Sequence, residues 1–148
     1  KLSPPLRREE DRKALVQGLN DETIDVIVSD HKPEDEESKR LTFAQAATGA
    51  SGIETLLPLS LELYHNQSVK LETIIKALTS NPAKILKIEK GNLSIGNDAD
   101  FCIVDIDKPW IVKKDELISK SKNTSIEGKK LQGRVMKTFV KGVELFKL

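Results

Sequence analysis

The chain has 148 residues, 38% of them hydrophobic and 32% charged, and its 24 basic residues nearly balance its 23 acidic residues. This balance argues against a nucleic-acid partner or an anionic membrane surface, and no apolar run approaches the roughly 20 residues that span a bilayer. A single cysteine, Cys102, cannot form an internal disulfide, so we expect a cytoplasmic protein. Because residues 101–104 are apolar, we predict that this thiol is buried and structural.

The first thirty residues predict loop, helix, loop and strand, in that order. Two prolines keep residues 1–7 out of a helix. Residues 8–19 predict a helix, because acids occupy its first turn and Leu15 and Leu19 share one face. The β-branched run that begins at residue 23 predicts a strand buried on both faces, so the order is that of a parallel α/β unit.

Two polar residues, Asp30 and His31, stand where this strand would leave its sheet. Catalytic groups of parallel α/β folds lie at that end of the strands. Adjacent residues of an extended chain point to opposite sides, so one can enter a pocket while the other braces the loop. We predict that Asp30 is the reactive carboxylate; the alternative is that it only caps the next turn.

A long polar loop and three helices follow. Residues 32–53 make a loop of a length that is usually functional, with Gly49 and Gly52 able to approach a ligand or simply to turn the chain. Helices are predicted over residues 54–65, 71–78 and 82–86, the last with Asn81 as its N-cap. We interpret His65, at a polar helix end, as a solvated surface residue.

The remainder is predicted to be mostly β. Strands are expected over residues 101–105 and 110–112, and a hairpin joins residues 134–140 to 143–146 through Lys141 and Gly142. A domain boundary is therefore predicted near residue 90. One strand cannot close a sheet, and a barrel of eight strand–helix units takes about 250 residues. We expect the chain to be the carboxyl-terminal part of something larger.

Several motifs together resemble the last third of a dihydroorotase of the long bacterial type, within the amidohydrolase superfamily. They are SPPLRREED at residues 3–11, Asp30-His31 with Pro33, and GASGIET at residues 49–55. The tail resembles the same family through NPAKIL at residues 81–86, GNLSIGNDADFCIVD at 91–105, KSKNT at 120–124, and the glycines at 128 and 133.

The resemblance implies the carboxyl-terminal part of a TIM (β/α)8 barrel, followed by strands of a small β-sandwich. Residues 1–90 would hold the last barrel strand and its flanking helices, and residues 91–148 the sandwich tail. The implied reaction is the reversible, zinc-dependent hydrolysis of the cyclic amide of dihydroorotate to carbamoyl aspartate in pyrimidine biosynthesis. Asp30 would touch the metal and move the proton, whereas the zinc-binding histidines would come from a missing amino-terminal barrel portion.

The resemblance also assigns substrate contacts to Ser3, Glu34, Ala47 and Gly49. Two of them depart from the family pattern, which has asparagine at the position of Ser3 and histidine at that of Glu34. A glutamate beside an anionic substrate is repulsive unless it turns away or pairs with a cation. These departures leave open a non-catalytic subunit that scaffolds aspartate carbamoyltransferase, and a hydantoinase-like enzyme is a third reading. The expected partners are a small-molecule substrate and either another copy of the chain or aspartate carbamoyltransferase.

Overall fold

Five helices precede three β-strands in the computed structural model, which describes residues 1–148. The helices are α1 (Glu9–Asn20), α2 (Glu36–Lys39), α3 (Leu56–His65), α4 (Leu71–Leu78) and α5 (Ser80–Ile85). The strands are β1 (Phe101–Ile111), β2 (Lys130–Val140) and β3 (Val143–Lys147), with a short 3-10 turn at Lys114–Glu116. None of the helices combines the length and apolar character that crossing a bilayer requires. The division at residue 90 falls between the helices and the strands and stays a prediction.

The helical predictions are confirmed within a few residues at either end. Apolar spacing at i, i+3, i+4 and i+7 gives α4 the bounds that the sequence predicts, with Ile74 and Ala77 buried. These two residues form a core with Leu19 of α1 and with Val69, which precedes α4. The short helix α2 was not predicted; Asp35 caps it by accepting a hydrogen bond from the Ser38 N–H at 2.8 Å.

The run that begins at residue 23 forms no β-strand within this chain. Ile24 and Ile27 pack on the helical core, but the side chain of Val28 is 71% exposed. The Ile27 N–H donates to the Ala77 carbonyl at 3.1 Å, in place of a ladder partner. A strand requires a neighbour to complete its hydrogen bonds, and no other segment of the chain lies alongside to provide one.

The three strands form one antiparallel sheet in the order β1–β2–β3. The two strands predicted over residues 101–105 and 110–112 form one continuous strand, β1. Its pairing with β2 shifts in register between Asp105 and Pro109. The predicted hairpin is confirmed: Val140 pairs with Val143, and Lys141 and Gly142 have φ values of 50° and 76°. Positive φ at both central residues matches the right-handed twist of the two strands.

Three predictions about single side chains are wrong. Cys102 is exposed, as are its neighbours in β1, because no second layer covers that part of the sheet. His65 is not solvated; its Nε2 lies 3.0 Å from the Ile106 carbonyl, because the end of α3 lies beside β1. Asn81 lies within α5, and its side-chain amide donates to the Asp25 carbonyl at 3.0 Å.

Helix α3 packs against the sheet through Leu61, which is fully buried. Gly133 of β2 makes the close approach possible, because a Cβ atom there would lie 2.4 Å from the Leu61 Cδ1. Its φ of 102° also favours glycine. The contact joins the helical part of the chain to the sheet.

We expect Leu61→Ala to lower the free energy of unfolding by about 2–5 kcal/mol, because it leaves a cavity between α3 and β2. Ile95→Ala is the matched control, since the Ile95 side chain is fully exposed and its loss should change the free energy by less than about 0.5 kcal/mol. Urea denaturation of the full-length protein measures both. Equal decreases in the free energy of unfolding in the two variants would show that Leu61 does not stabilise the contact between α3 and β2.

Candidate functional site

A cleft of about 890 Å³ lies between α1, α3 and the segment that follows residue 23. Its walls are mostly apolar or small side chains, among them Leu19 and Leu59. Only two charged residues line it, Asp30 and Lys32. Within this chain, Asp30 and Lys32 are therefore the charged residues that line a largely apolar cleft.

Asp30 reaches the cleft by a turn in the backbone. Its φ is 42°, in the left-handed region, which aspartate enters more readily than most residues. The side chain is exposed in this chain and lines the cleft together with Ser3 and Gly49. Of the predicted substrate contacts, these two are therefore brought to the same cavity as the predicted reactive carboxylate.

His31 lies on the other side of the segment and braces the neighbouring loop. Its Nδ1 accepts hydrogen bonds from the N–H groups of Gly52 and Ile53, at 3.1 and 3.2 Å. An Nδ1 that accepts hydrogen bonds carries no proton, so Nε2 is the ring nitrogen that can donate. Asp30 and His31 therefore have different surroundings, but a turn at Asp30 separates them and not the alternation predicted for an extended strand.

A tail segment, residues 117–123, is hydrogen-bonded to this loop. The Glu54 carboxylate accepts from the N–H groups of Ile118, at 3.0 Å, and Ser119, at 3.1 Å. The Ser51 hydroxyl donates to the Ser121 carbonyl at 2.9 Å, and the Ser51 N–H donates to the Asn123 carbonyl at 2.8 Å. We call these contacts the loop–tail clamp. They connect the GASGIET and KSKNT motifs, which lie far apart in the sequence.

Glu34 does not line the cleft. It faces a second cavity of about 990 Å³, whose lining includes no hydrophobic residue. Its Oε1 lies 3.4 Å from the Lys32 Nζ, so the carboxylate is paired with a cation. In the same cavity, the hydrogen bond from the Ser38 N–H lowers the pKa of the Asp35 carboxyl.

Ala47 also lies outside the cleft. Its N–H donates to the Ser38 carbonyl at 3.0 Å, and its carbonyl accepts from the Lys39 Nζ at 2.8 Å. The Gly49 N–H donates to the Lys1 carbonyl at 3.0 Å. The backbone N–H groups of both residues are therefore already bonded within the chain, and their contact with substrate stays a prediction.

The chain does not assemble a complete metal site. No group of three or more His, Cys, Asp or Glu side chains is placed to hold an ion. The Asp30 carboxylate fits the donor chemistry of one zinc ligand, but a zinc site takes three or four protein ligands. Further ligands would have to come from outside these 148 residues.

A sequence profile of the amidohydrolase family matches residues 3–145. The chain belongs to this family. Among curated relatives, it is 44% identical over 146 residues to a dihydroorotase of Wolbachia sp. subsp. Drosophila simulans, covering 99% of this chain and 33% of that protein. It is also 44% identical over 142 residues to a dihydroorotase of Syntrophus aciditrophicus, covering 96% of this chain and 33% of that protein. The chain thus spans about one third of the length of these amidohydrolases.

Solved structures agree with the family and with the barrel fold class. The L-hydantoinase of Arthrobacter aurescens is 33% identical and superimposes with a TM-score of 0.89 over 99% of this chain and 34% of that one. The dihydropyrimidinase of Brevibacillus agri is 22% identical, with a TM-score of 0.92 over 99% and 33%, and supports the fold alone. The predicted architecture, the carboxyl-terminal part of a TIM barrel followed by β-strands, is confirmed.

The sequence analysis did not predict the ion pair of Lys32 with Glu34 or the contacts of Ser51 and Glu54. The Lys32–Glu34 pair is local, and the spacing of a cation and an acid two residues apart could have indicated it. Ser51 and Glu54 lie within GASGIET, but their partners are more than sixty residues away. No local pattern indicates such partners.

The loop–tail clamp predicts a specific cost for Glu54→Gln. The change removes the charge and one accepting oxygen, so we expect the free energy of unfolding to fall by about 1.5–3 kcal/mol. Amide exchange at Ile118 and Ser119 should accelerate. Glu62→Gln is the control, because Glu62 forms a half-exposed surface ion pair with Lys129 that contributes about 1 kcal/mol or less. Unchanged exchange at residues 118 and 119 would contradict this role of Glu54.

Proposed function

We propose that the full-length protein containing this chain is a cytoplasmic, zinc-dependent dihydroorotase of pyrimidine biosynthesis. It would reversibly hydrolyse the cyclic amide of dihydroorotate to carbamoyl aspartate. The observation that carries the proposal is that Asp30 is the only acid lining the apolar cleft. The chain's 44% identity to dihydroorotases such as that of Wolbachia supports the choice of substrate.

Asp30 has the chemistry that the reaction needs. Zinc, when bound, polarises a carbonyl and lowers the pKa of water. The Asp30 carboxylate would take a proton from the attacking water as its oxygen bonds to the amide carbon. It would then return that proton to the ring nitrogen as the carbon–nitrogen bond breaks, so that one group serves as base and then as acid. In ring closure the same transfers run in reverse.

The proposed substrate contacts differ in their support. Ser3 lines the cleft and offers a hydroxyl that can donate or accept. Gly49 lines it too, but a Cβ atom there would lie 2.5 Å from the Lys32 carbonyl oxygen, so the space beside Gly49 is filled by Lys32 and not left free for a ring. Ala47 and Glu34 lie outside the cleft, so their contact with substrate would require the loop to rearrange. The ion pair with Lys32 offsets the repulsion between Glu34 and an anionic substrate.

A non-catalytic subunit that scaffolds aspartate carbamoyltransferase is the second candidate function. It is favoured by Ser3 and Glu34, which stand where the resemblance expects asparagine and histidine. Zinc content and dihydroorotate turnover of the full-length protein separate the two functions, because the scaffold would lack turnover. Self-association and binding to aspartate carbamoyltransferase would be tested on the same preparation.

We predict that Asp30→Asn lowers the kcat for dihydroorotate hydrolysis by roughly 10²–10⁴-fold, because an amide cannot accept and return the proton. Asp25→Asn is the matched control. Asp25 is an exposed aspartate of the same segment and is not among the residues that line the cleft. Turnover measured by loss of the substrate's ultraviolet absorbance decides the outcome. Undiminished turnover in Asp30→Asn would remove Asp30 from its proposed role.

A further inference from the structure

We propose that His31 is a positioning residue for the Asp30 carboxylate. The inference rests on the proposed function and deepens it, because it names a second side chain on which turnover depends. His31 lines the second, polar cavity and not the cleft, so it does not face the space in which a ring would bind. Its effect on the reaction therefore passes through Asp30, the residue before it in the chain.

The backbone at Asp30 has a conformation that needs support from its surroundings. Its φ of 42° is in the left-handed region, which a residue with a side chain keeps only where neighbouring contacts fix it. The His31 N–H donates to the Ser29 hydroxyl at 3.3 Å across this turn. The Lys32 N–H donates to the Ala50 carbonyl at 3.1 Å. Of these two backbone bonds, only the second joins the turn to another part of the chain.

The His31 side chain supplies two more bonds between the turn and the same loop. Its Nδ1 accepts from the N–H groups of Gly52 and Ile53, at 3.1 and 3.2 Å. A single ring nitrogen thus fixes two successive backbone groups that lie more than twenty residues away in the sequence. An apolar side chain in place of the ring would leave both N–H groups without this acceptor.

The loop also packs closely on the turn at two glycines. A Cβ atom at Gly52 would lie 3.0 Å from the Ser29 carbonyl oxygen, and one at Gly49 would lie 2.5 Å from the Lys32 carbonyl oxygen. Both carbonyls belong to the backbone around Asp30. Because packed groups at such distances transmit displacements, a shift of the loop moves the backbone that carries the carboxylate. The loop–tail clamp fastens the same loop to the tail.

A small displacement of the carboxylate is enough to slow the reaction. In the proposed mechanism, Asp30 takes a proton from water and returns it to the ring nitrogen, so it has to lie within hydrogen-bond reach of both. A misplacement of about 1 Å can cost roughly 10²-fold in rate. Binding of the ring depends on other residues that line the cleft, so we expect a change at His31 to affect kcat more than KM.

The test uses the full-length protein with its metal. In His31→Asn, the side-chain oxygen can take the place of Nδ1 and accept from the same two N–H groups, whereas His31→Leu has similar bulk and no acceptor. His65→Leu is the matched control, because His65 is the only other histidine and contacts the distant Ile106 carbonyl, away from the cleft. We would measure kcat per bound metal, KM for dihydroorotate, melting temperature, and amide exchange at Gly52 and Ile53.

We expect His31→Leu to lower kcat by about 10–100-fold, with a smaller change in KM. Amide exchange at Gly52 and Ile53 should accelerate in this variant. His31→Asn should recover most of the kcat and the slow exchange. His65→Leu should keep the wild-type kcat, even if its melting temperature falls as far as that of His31→Leu.

An unchanged kcat in His31→Leu would overturn the proposal, and so would equal losses of kcat in His31→Leu and His31→Asn. Equal losses in His31→Leu and His65→Leu would overturn it too, because general destabilisation would then be the cause. If His31→Leu fails to fold, Gly52→Ala replaces it, since the added Cβ presses on the Ser29 carbonyl while His31 stays in place. An unchanged kcat in Gly52→Ala would then contradict the proposal.

A wild type without turnover would refute the dihydroorotase function and leave the positioning role to be decided by crystal structures of the same variants. The Asp30 carboxylate should leave its wild-type position in His31→Leu and keep it in His31→Asn. A carboxylate that stays in place in His31→Leu would overturn the positioning role, whatever the reaction.

Discussion

Within this chain, the main constraint on the loop beside Asp30 is the loop–tail clamp, which fastens residues 117–123 to the loop holding Ser51 and Glu54. The segment carrying Asp30 has no strand partner among these 148 residues, which span about one third of the length of the related amidohydrolases. His31 extends the constraint, since its Nδ1 receives two backbone N–H groups of the clamped loop. Each of these bonds joins positions distant in sequence, and together with the packing of Leu61 on Gly133 they hold the tail against the helical part.

The clamp also explains why the two polar residues at the end of the predicted strand behave differently. His31 is committed to backbone groups, whereas the Asp30 side chain lines the cleft. The positive φ of Asp30 turns the chain between them. A carboxylate without structural partners at the mouth of an apolar cleft can exchange protons with a ligand. A histidine held by two N–H groups positions the loop instead.

Local features of the fold could be predicted from the sequence, whereas its long-range features could not. The spacing of Ile74 and its neighbours fixes α4, and Lys141-Gly142 fixes the hairpin, because both depend on residues close in the chain. The strand predicted after residue 23 requires a paired neighbour, and a buried Cys102 requires a second layer over the sheet. This chain contains neither, so the segment after residue 23 and Cys102 are more exposed than the sequence predicted.

Within the site, Asp30 was predicted from its place at the end of an expected strand; it lines the cleft, but no β-strand forms before it in this chain, and its role stays a prediction. The positions of Glu34 and Ala47 outside the cleft could not be predicted, because both depend on how the loop folds back on itself. The resemblance identified GASGIET as a marker of the family. In the structure, Ser51 and Glu54 of this motif form the hydrogen bonds of the loop–tail clamp.

The proposed function requires Asp30 to face the reacting end of a ring held in the cleft. A crystal structure of the full-length protein with orotate bound would show where the ring lies. We expect the Asp30 carboxylate to lie on the cleft side of its segment, next to the ring and to any bound metal. An Asp30 side chain turned into solvent, with the ring bound elsewhere, would exclude Asp30 from catalysis.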